Sequence, residues 1–464
     1  MHTVEKIGGS SMTDFATIMN NVIIAGRSGK DLYNRIFVVS AYGGVTDMLL
    51  EGKKNSKPGI YALYAANDAG WVDALENTRD HLCALNKSFV KIGLDQDSAD
   101  EFIVERFNEI KSCLYDLQRL SSYGHFQIEK QLLAVRELLS AVGEAHSARN
   151  SAEILCAQDV NAQCIDLTGW KDLEILPFNE KILSAFEGID LSTVLPIATG
   201  YTKCSEGIMS SFDRGYSEIT FSKIAELTGA SEGVIHKEFH LSSSDPKVVG
   251  VDKVEVIGQT NYDVADQLAD LGMEAIHPKA SKGMENKQIP IRIKNAFDPD
   301  HAGTLISHDF VSEKPRVEMV TGCKNMLAIE LWDSVMVGQS GYDFRVLQHL
   351  KNHGISYVAK NTNANTITHY VRNTESNIDA CMADIIDDFS GATVRTQNVA
   401  IVSAIGSNMK FPGFLAKAAG ALAEKNINIL AVDQCMRQVN MQFIVSEDDF
   451  EDAIRALHRG VVEQ

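Results

Sequence analysis

Lys6-Ile7-Gly8-Gly9-Ser10-Ser11, entered through the alternating run Thr3-Val4-Glu5-Lys6-Ile7, reads as a β-strand ending in a glycine turn and two hydroxyl side chains. Glycines let the main chain turn sharply and approach a ligand, so successive N–H groups can converge on an anion. A lysine at the strand end adds a point charge to that cradle. The order differs from the Walker pattern, whose lysine follows the second glycine. By itself a Gly-Gly pair after a strand is an ordinary turn, so the phosphate reading rests on partners elsewhere in the chain.

Working outward, Ile36-Phe37-Val38-Val39 is a continuous apolar run of the kind found in strands buried on both faces of a parallel sheet. Ser40-Ala41-Tyr42-Gly43-Gly44-Val45-Thr46-Asp47 follows at its carboxyl end, where α/β proteins place ligands. From about 60 to 155 strand runs are missing, and leucines such as Leu114, Leu117, Leu132, Leu133, Leu138 and Leu139 recur at helical spacing; this span reads as a helical insert. Strands return at Val160–Asp166, Val194–Thr199 and Ile289–Lys294, and a helix follows Arg214-Gly215. Thr260-Asn261-Tyr262-Asp263 reads as a capping signal before Val264, Leu268 and Leu271 on one helix face. The polar stretch 307–316 reads as a linker. Beyond it, Leu350-x4-Ile355 and Leu422-x4-Ile427 mark an internal repeat at an offset of 72 residues. Its units read as βαββαβ, ferredoxin-like modules.

The 464 residues suffice for several domains, and 45% hydrophobic with 23% charged residues is ordinary for a globular protein. A net charge of −19 argues against a nucleic-acid partner. No apolar run is long enough to span a membrane, and no signal-peptide core is evident, so a cytoplasmic location is expected. The 8 cysteines form no Cys-x-x-Cys pair and the 13 histidines no His-Glu-x-x-His, so no protein-held metal is expected.

Four more motifs stand in order: Gly143-Glu144, Thr199-Gly200-Tyr201, Arg214-Gly215-Tyr216-Ser217-Glu218-Ile219-Thr220 and Ser243-Ser244-Asp245-Pro246-Lys247. With the two glycine loops they resemble aspartate kinases (aspartokinases) over the whole chain, and the doubled tail resembles that family's ACT domains. The resemblance implies an amino-acid-kinase α/β domain over residues 1–308, its sheet sandwiched by helices. A first ACT domain would follow over 317–392, and a second over 393–464 that takes a strand from 316–322. It implies phosphorylation of the L-aspartate side chain by ATP with Mg2+, as the first step of the aspartate-family pathway. Lys6 would contact the transferring phosphoryl group, with Glu218 near the reaction centre. Thr46, Glu144, Tyr201, Arg214 and Ser217 would hold aspartate. Gly8, Gly9, Ser10, Ser11, Ser40 and Gly215 would border the phosphates. Lys247 and Lys294 would approach the triphosphate, Asp245 would lie by the nucleotide, and His236 and Lys237 would replace the usual base contacts. An amino-acid effector would meet the loop–helix junctions Gln339-Ser340-Gly341-Tyr342-Asp343, completed by Asn361 and Asn363, and Asn408-Met409-Lys410-Phe411-Pro412-Gly413. A homodimer or larger homo-oligomer is expected.

Three positions depart from the family pattern. Arg-Gly-Gly-Ser-Asp reads Arg214-Gly215-Tyr216-Ser217-Glu218, the nucleotide segment reads His236-Lys237-Glu238-Phe239-His240-Leu241, and an expected lysine is Glu274. These changes, with the N-terminal stretch, resemble the divergent aspartokinases associated with ectoine biosynthesis in salt-tolerant bacteria. The altered nucleotide segment motivates a rival: a catalytically impaired, kinase-like regulatory protein that senses amino acids. A third reading is a kinase of the same fold acting on glutamate, carbamate or a nucleotide.

Overall fold

A computed structural model describes residues 1–52, 57–123, 125–127, 131–211, 215–272, 276–373 and 377–463. Internal contacts divide the chain into two units: Met1–His240 with His277–Ser307, and Leu241–Ile276 with His308–Gln464. The segment 241–276, expected within the catalytic domain, thus clusters with the C-terminal part of the chain.

In the first unit the strands are β1 (Thr3–Ile7), β2 (Arg35–Val39), β3 (Ala162–Ile165), β4 (Leu195–Thr199), β5 (Glu232–Lys237), β6 (Ile291–Asn295) and β7 (Thr304–Ser307). They lie in the order β3-β4-β2-β1-β5-β6-β7, parallel except for β7, which runs antiparallel to β6. Every residue of β2 and β4 is buried, which explains the apolar runs Ile36–Val39 and Leu195–Ala198 within them. Helices of this unit include α1 (Gly9–Thr13), α2 (Val45–Leu49), α3 (Trp71–Phe89), α4 (Gln96–Ser121), α5 (Leu132–Cys156), α6 (Tyr216–Thr228) and α7 (Pro278–Asn286). The insert is helical, as its leucine spacing predicts, and α5 is buried without a break from Leu139 to Ala148.

Two buried polar clusters pin this frame. Asn86 of α3 accepts from Asn150 at 2.8 Å, meets His146 Nε2 at 2.6 Å, and donates to Asp100 of α4 at 2.8 Å. Burial holds the His146 imidazole down to about 3, so it is neutral in this network. Within the sheet, Arg35 grips Glu5 bidentately at 2.6 and 3.0 Å and also donates to the carbonyls of Val22 and Ile23. His236 Nε2 lies 2.7 Å from the second Glu5 oxygen. Burial would raise the Glu5 carboxyl, but Arg35 and His236 outweigh it and hold it far below the usual range.

The second unit carries β8 (Met319–Trp332), β9 (Tyr357–Thr362), β10 (Thr366–Arg372), β11 (Thr393–Ile405), β12 (Ala431–Asp433) and β13 (Asn440–Ser446), in the order β9-β10-β8-β11-β13-β12. Helices α8 (Tyr342–Asn352), α9 (Ile378–Asp388), α10 (Phe414–Ala423) and α11 (Phe450–Val461) complete two ferredoxin-like modules. The modules share their long strands. The Thr393–Val399 half of β11 pairs with Trp332–Met326, the register then shifts, and Ile401–Ile405 pairs with Cys323–Met319. Each long strand therefore serves one module with its first half and the other with its second. Separate apolar cores form, one around Val346, Leu350 and Ile385, the other around Phe414, Leu422, Phe443 and Leu457.

Candidate active site

The turns after β1 and β2, the centre of α5 and the start of α6 meet at one cavity of about 230 Å3. Lys6, Ser40, Thr46, Asp47, Glu144 and Ser217 are among its lining residues, with Gly9, Ser10 and Gly215 from the turns. This is the position where parallel α/β sheets place ligands.

Gly9 opens α1 with its Cα packed against the second loop, and a Cβ there would stand 2.6 Å from the Ala41 carbonyl oxygen. Gly8 precedes the helix without a side-chain cap. The first N–H groups of a helix have no partner within it, so this turn offers donors suited to phosphate oxygens. The Ser10 hydroxyl lies at the cavity, whereas Ser11 is buried in the turn.

Lys6 Nζ pairs with Glu218 Oε1 at 3.3 Å, both side chains being nearly buried. The other Glu218 oxygen accepts the His277 N–H at 2.9 Å. Burial would raise the Glu218 carboxyl, yet Lys6, Lys237 and the His277 N–H outweigh it and keep it below its ordinary value. The Glu218 carboxylate is thus ionised, and its contact fixes the direction of the Lys6 head.

Glu144, on the buried stretch of α5, is 2% exposed. Ser40 donates to the Ser217 hydroxyl at 3.1 Å, and Ser217 donates to Glu144 Oε1 at 2.8 Å. Glu144 Oε2 is buried with no hydrogen-bond partner among the described residues. Desolvation dominates over Ser217, Lys6 and the main-chain N–H groups of Tyr201 and Ala41, and pushes this carboxyl up to about 8. Gly200 makes the close packing possible, because a Cβ there would lie 2.6 Å from Ser217 Cβ and 2.9 Å from Glu144 Oε2.

The remaining expected residues divide. Tyr201 is buried behind the wall, its ring edge-on to Tyr216 at 5.7 Å, and does not line the cavity. Arg214 and Glu274 lie outside the described residues. His236 is turned into the sheet toward Glu5, which leaves it 5% exposed. Lys237 lies close enough to Glu218 to act on its charge, while Lys294 donates to the Pro299 carbonyl at 2.9 Å. Asp245 and Lys247 belong to the second unit, where Asp245 caps a short turn by accepting the Lys247 N–H at 2.8 Å. In that unit Gln339, Ser340 and Gly341 are exposed before α8. Asn361 donates to the Val432 carbonyl at 3.2 Å, and Asn363 accepts N–H groups of Asn365 and Thr366.

Sequence reasoning passed over Asp47, Tyr42 and Tyr216, all on the cavity wall. Each sits inside a quoted motif, so proximity to those motifs was an available signal. It also missed the His277 N–H, which leaves no trace in side-chain chemistry.

The amino acid kinase family model matches residues 1–295, and an ACT domain model matches residues 402–460. "Aspartate kinase Ask_Ect" of Stutzerimonas stutzeri (strain A1501) is 50% identical over 465 residues, covering 100% of this chain and 98% of that protein. "Aspartokinase 2, chloroplastic" of Arabidopsis thaliana is 24% identical over 99% of this chain and 84% of that protein. Among solved structures, E. coli aspartokinase III in complex with aspartate and ADP aligns over 100% of both chains, with TM-score 0.75 and 21% identity. The aspartate kinase of Clostridium acetobutylicum aligns over 99% of this chain and 100% of that one, with TM-score 0.74 and 20% identity. The fold is therefore shared with these structures, and the identity across the full length of the Stutzerimonas protein decides the family: the chain belongs to the amino acid kinase family, in its aspartate kinase branch.

Proposed function

We propose that this protein transfers the γ-phosphoryl group of ATP to the side-chain carboxylate of L-aspartate. The observation that carries the reading is a contrast of two carboxylates, Glu144 on the cavity wall and Glu218 joined to that wall through Lys6. Glu218 is ionised and bound to Lys6, whereas Glu144 is buried with an oxygen left over. A carboxyl whose desolvation outweighs its polar neighbours is held neutral, and an incoming ammonium group would restore its charge. Glu144 would therefore recognise the α-amino group of aspartate, with Thr46, Ser217 and Arg214 about the rest of the zwitterion.

The aspartate side chain is ionised at neutral pH, so no base need remove a proton. Its oxygen attacks the γ-phosphorus, the bond to the β–γ bridging oxygen breaks, and ADP leaves with that electron pair. Lys6 would neutralise charge on the transferring group, and the α1 N–H donors would hold its oxygens. Among the described residues no group of three metal-ligating side chains stands together, so Mg2+ is proposed to enter with the nucleotide, where it would spread the triphosphate charge. Lys237 and Lys294 remain the proposed nucleotide contacts of the first unit. His236 is not retained, because Glu5 occupies its ring nitrogen.

The test is ADP release by the full-length protein with aspartate, with glutamate and with no amino acid. Release that requires aspartate supports the reading, and a preference for glutamate or an amino-acid-independent rate refutes it. The intact Lys6–Glu218 pair speaks against an impaired regulatory protein. No described helix is long and apolar enough to cross a membrane. A cytoplasmic homodimer, an amino-acid effector near Ser340 and Asn361, and a place in ectoine synthesis complete the proposal. Light scattering, inhibition assays and metabolite analysis of a deletion strain would test them in turn.

A further inference from the structure

Tyr42 stands between the substrate cavity and the helical insert. It belongs to the cavity wall, yet it is only 2% exposed. Its ring lies 5.3 Å from that of Phe89 on α3 and meets His146 of α5 edge to face at 5.4 Å. Its hydroxyl lies beside the Asn150 amide. Tyr42 Oη and Asn150 Oδ1 are buried, and neither has another partner among the described residues. Burial, opposed by Asn150, raises the phenol far above its ordinary range, so the hydroxyl keeps its proton as a donor. A buried donor and a buried acceptor side by side favour each other, since either one left unpaired is costly.

Asn150 is itself anchored. It donates to Asn86 of α3 at 2.8 Å, and Asn86 donates to Asp100 of α4 at 2.8 Å. Asp100 also accepts from Gln96 at 3.1 Å. None of Asn86, Asp100 and Asn150 lines the cavity. The two residues before Tyr42 bind the same helix as its hydroxyl. Ser147 of α5 donates to the Ser40 carbonyl at 2.9 Å, and the Ala41 N–H acts on the Glu144 carboxyl. Gly143 admits this approach, because a Cβ there would stand 2.7 Å from Ala41 Cβ. Gly143, Ser147 and Asn150 share one face of α5, at spacings of four and three. Beyond Tyr42 the chain reaches Thr46 through Gly43 and Gly44, which impose little backbone preference of their own.

We propose that Tyr42 is a positioning residue: through its hydroxyl and Asn150 the helical insert holds the 40–46 segment, and so sets the spacing of Ser40, Thr46 and Glu144 about the amino-acid substrate. It acts through those groups and not on the reacting atoms. A tyrosine kept for packing alone would use its ring and not its hydroxyl. The inference rests on the reading that this cavity takes aspartate, and adds the means by which its amino-acid half is shaped.

The experiment is steady-state kinetics of the full-length wild type, Y42F, N150A and Y42F/N150A, each with its melting temperature. Y42F keeps the ring and its contacts. Its KM for aspartate should rise about threefold or more, the order of one neutral hydrogen bond, with the KM for ATP within about twofold of the wild type. N150A should move the aspartate KM in the same direction. The double variant should be no worse than N150A, because both changes remove one contact. Y42F disturbs the core least and decides the outcome even where N150A does not fold. Wild-type KM values in Y42F, whatever its melting temperature, would overturn the inference. So would a joint rise of both KM values, or effects that multiply in the double variant. Absence of aspartate-dependent ADP release by the wild type would instead overturn the underlying reading, and this inference with it.

Discussion

Ser217 donates to Glu144 at 2.8 Å and thereby ties the first turn of α6 to the buried centre of α5. The contact joins the two helices at the point where the cavity needs a carboxylate, and Gly200 leaves just enough room for it. Removing the hydroxyl takes from Glu144 its side-chain donor. A hydrogen bond to a charged group is worth about 1.5–3 kcal/mol. Ser217→Ala should therefore raise the KM for aspartate roughly tenfold or more while leaving the KM for ATP within about twofold, as measured in steady-state assays.

Glu144→Gln should fold as well as the wild type, because the native carboxyl is neutral in the empty cavity at pH 7. It should nevertheless lose aspartate binding, since an amide cannot pair with an ammonium group. Deleting one partner of a buried charge pair costs about 2–5 kcal/mol. An increase of roughly a hundredfold in aspartate KM with unchanged melting temperature is expected.

The raised Glu144 carboxyl also sets a pH dependence. Below about pH 8 the empty site is protonated, and an entering ammonium must expel that proton. The KM for aspartate should thus rise as pH falls from 8 toward 6.5, approaching about tenfold per unit. It should level off above 8. Calorimetry in buffers of different ionisation enthalpy should detect proton release at pH 7, and Glu144→Gln should abolish it.

Glu5 behaves in the opposite sense. Its folded-state value is depressed by Arg35 and His236, so its stabilising contribution is present above the unfolded value of 4.5 and is lost as pH falls below it. Glu5→Gln breaks a buried ion pair, which costs about 3–5 kcal/mol. The variant should melt well below the wild type at pH 7, with the gap narrowing in acid.

Much of the frame was legible in the chain. The apolar run Ile36–Val39 of β2 and the leucine spacing of the insert announce a covered parallel sheet and a helical block, because burial on both faces favours consecutive apolar residues. The 72-residue repeat disclosed two modules, but the register shift between Val399 and Ile401, which lets β8 and β11 serve both, arises from long-range pairing. The cavity residues Lys6, Ser40, Thr46 and Ser217 were readable because each stands in or beside a glycine- or hydroxyl-rich motif, and Glu144 because it follows Gly143 in the ordered series of motifs. His236 was not, since the Glu5 that claims it lies 231 residues away. Nor does local pattern reveal that 241–276 packs with the C-terminal unit.

The most direct test of the central claim is kcat for Lys6→Ala, with aspartate affinity determined separately by calorimetry. Lys6 should act on charge that develops in transfer, so kcat should fall at least tenfold while aspartate still binds. A tenfold change corresponds to about 1.4 kcal/mol of barrier. A variant retaining more than a tenth of the wild-type kcat would contradict the assignment of this cavity as the phosphoryl-transfer site.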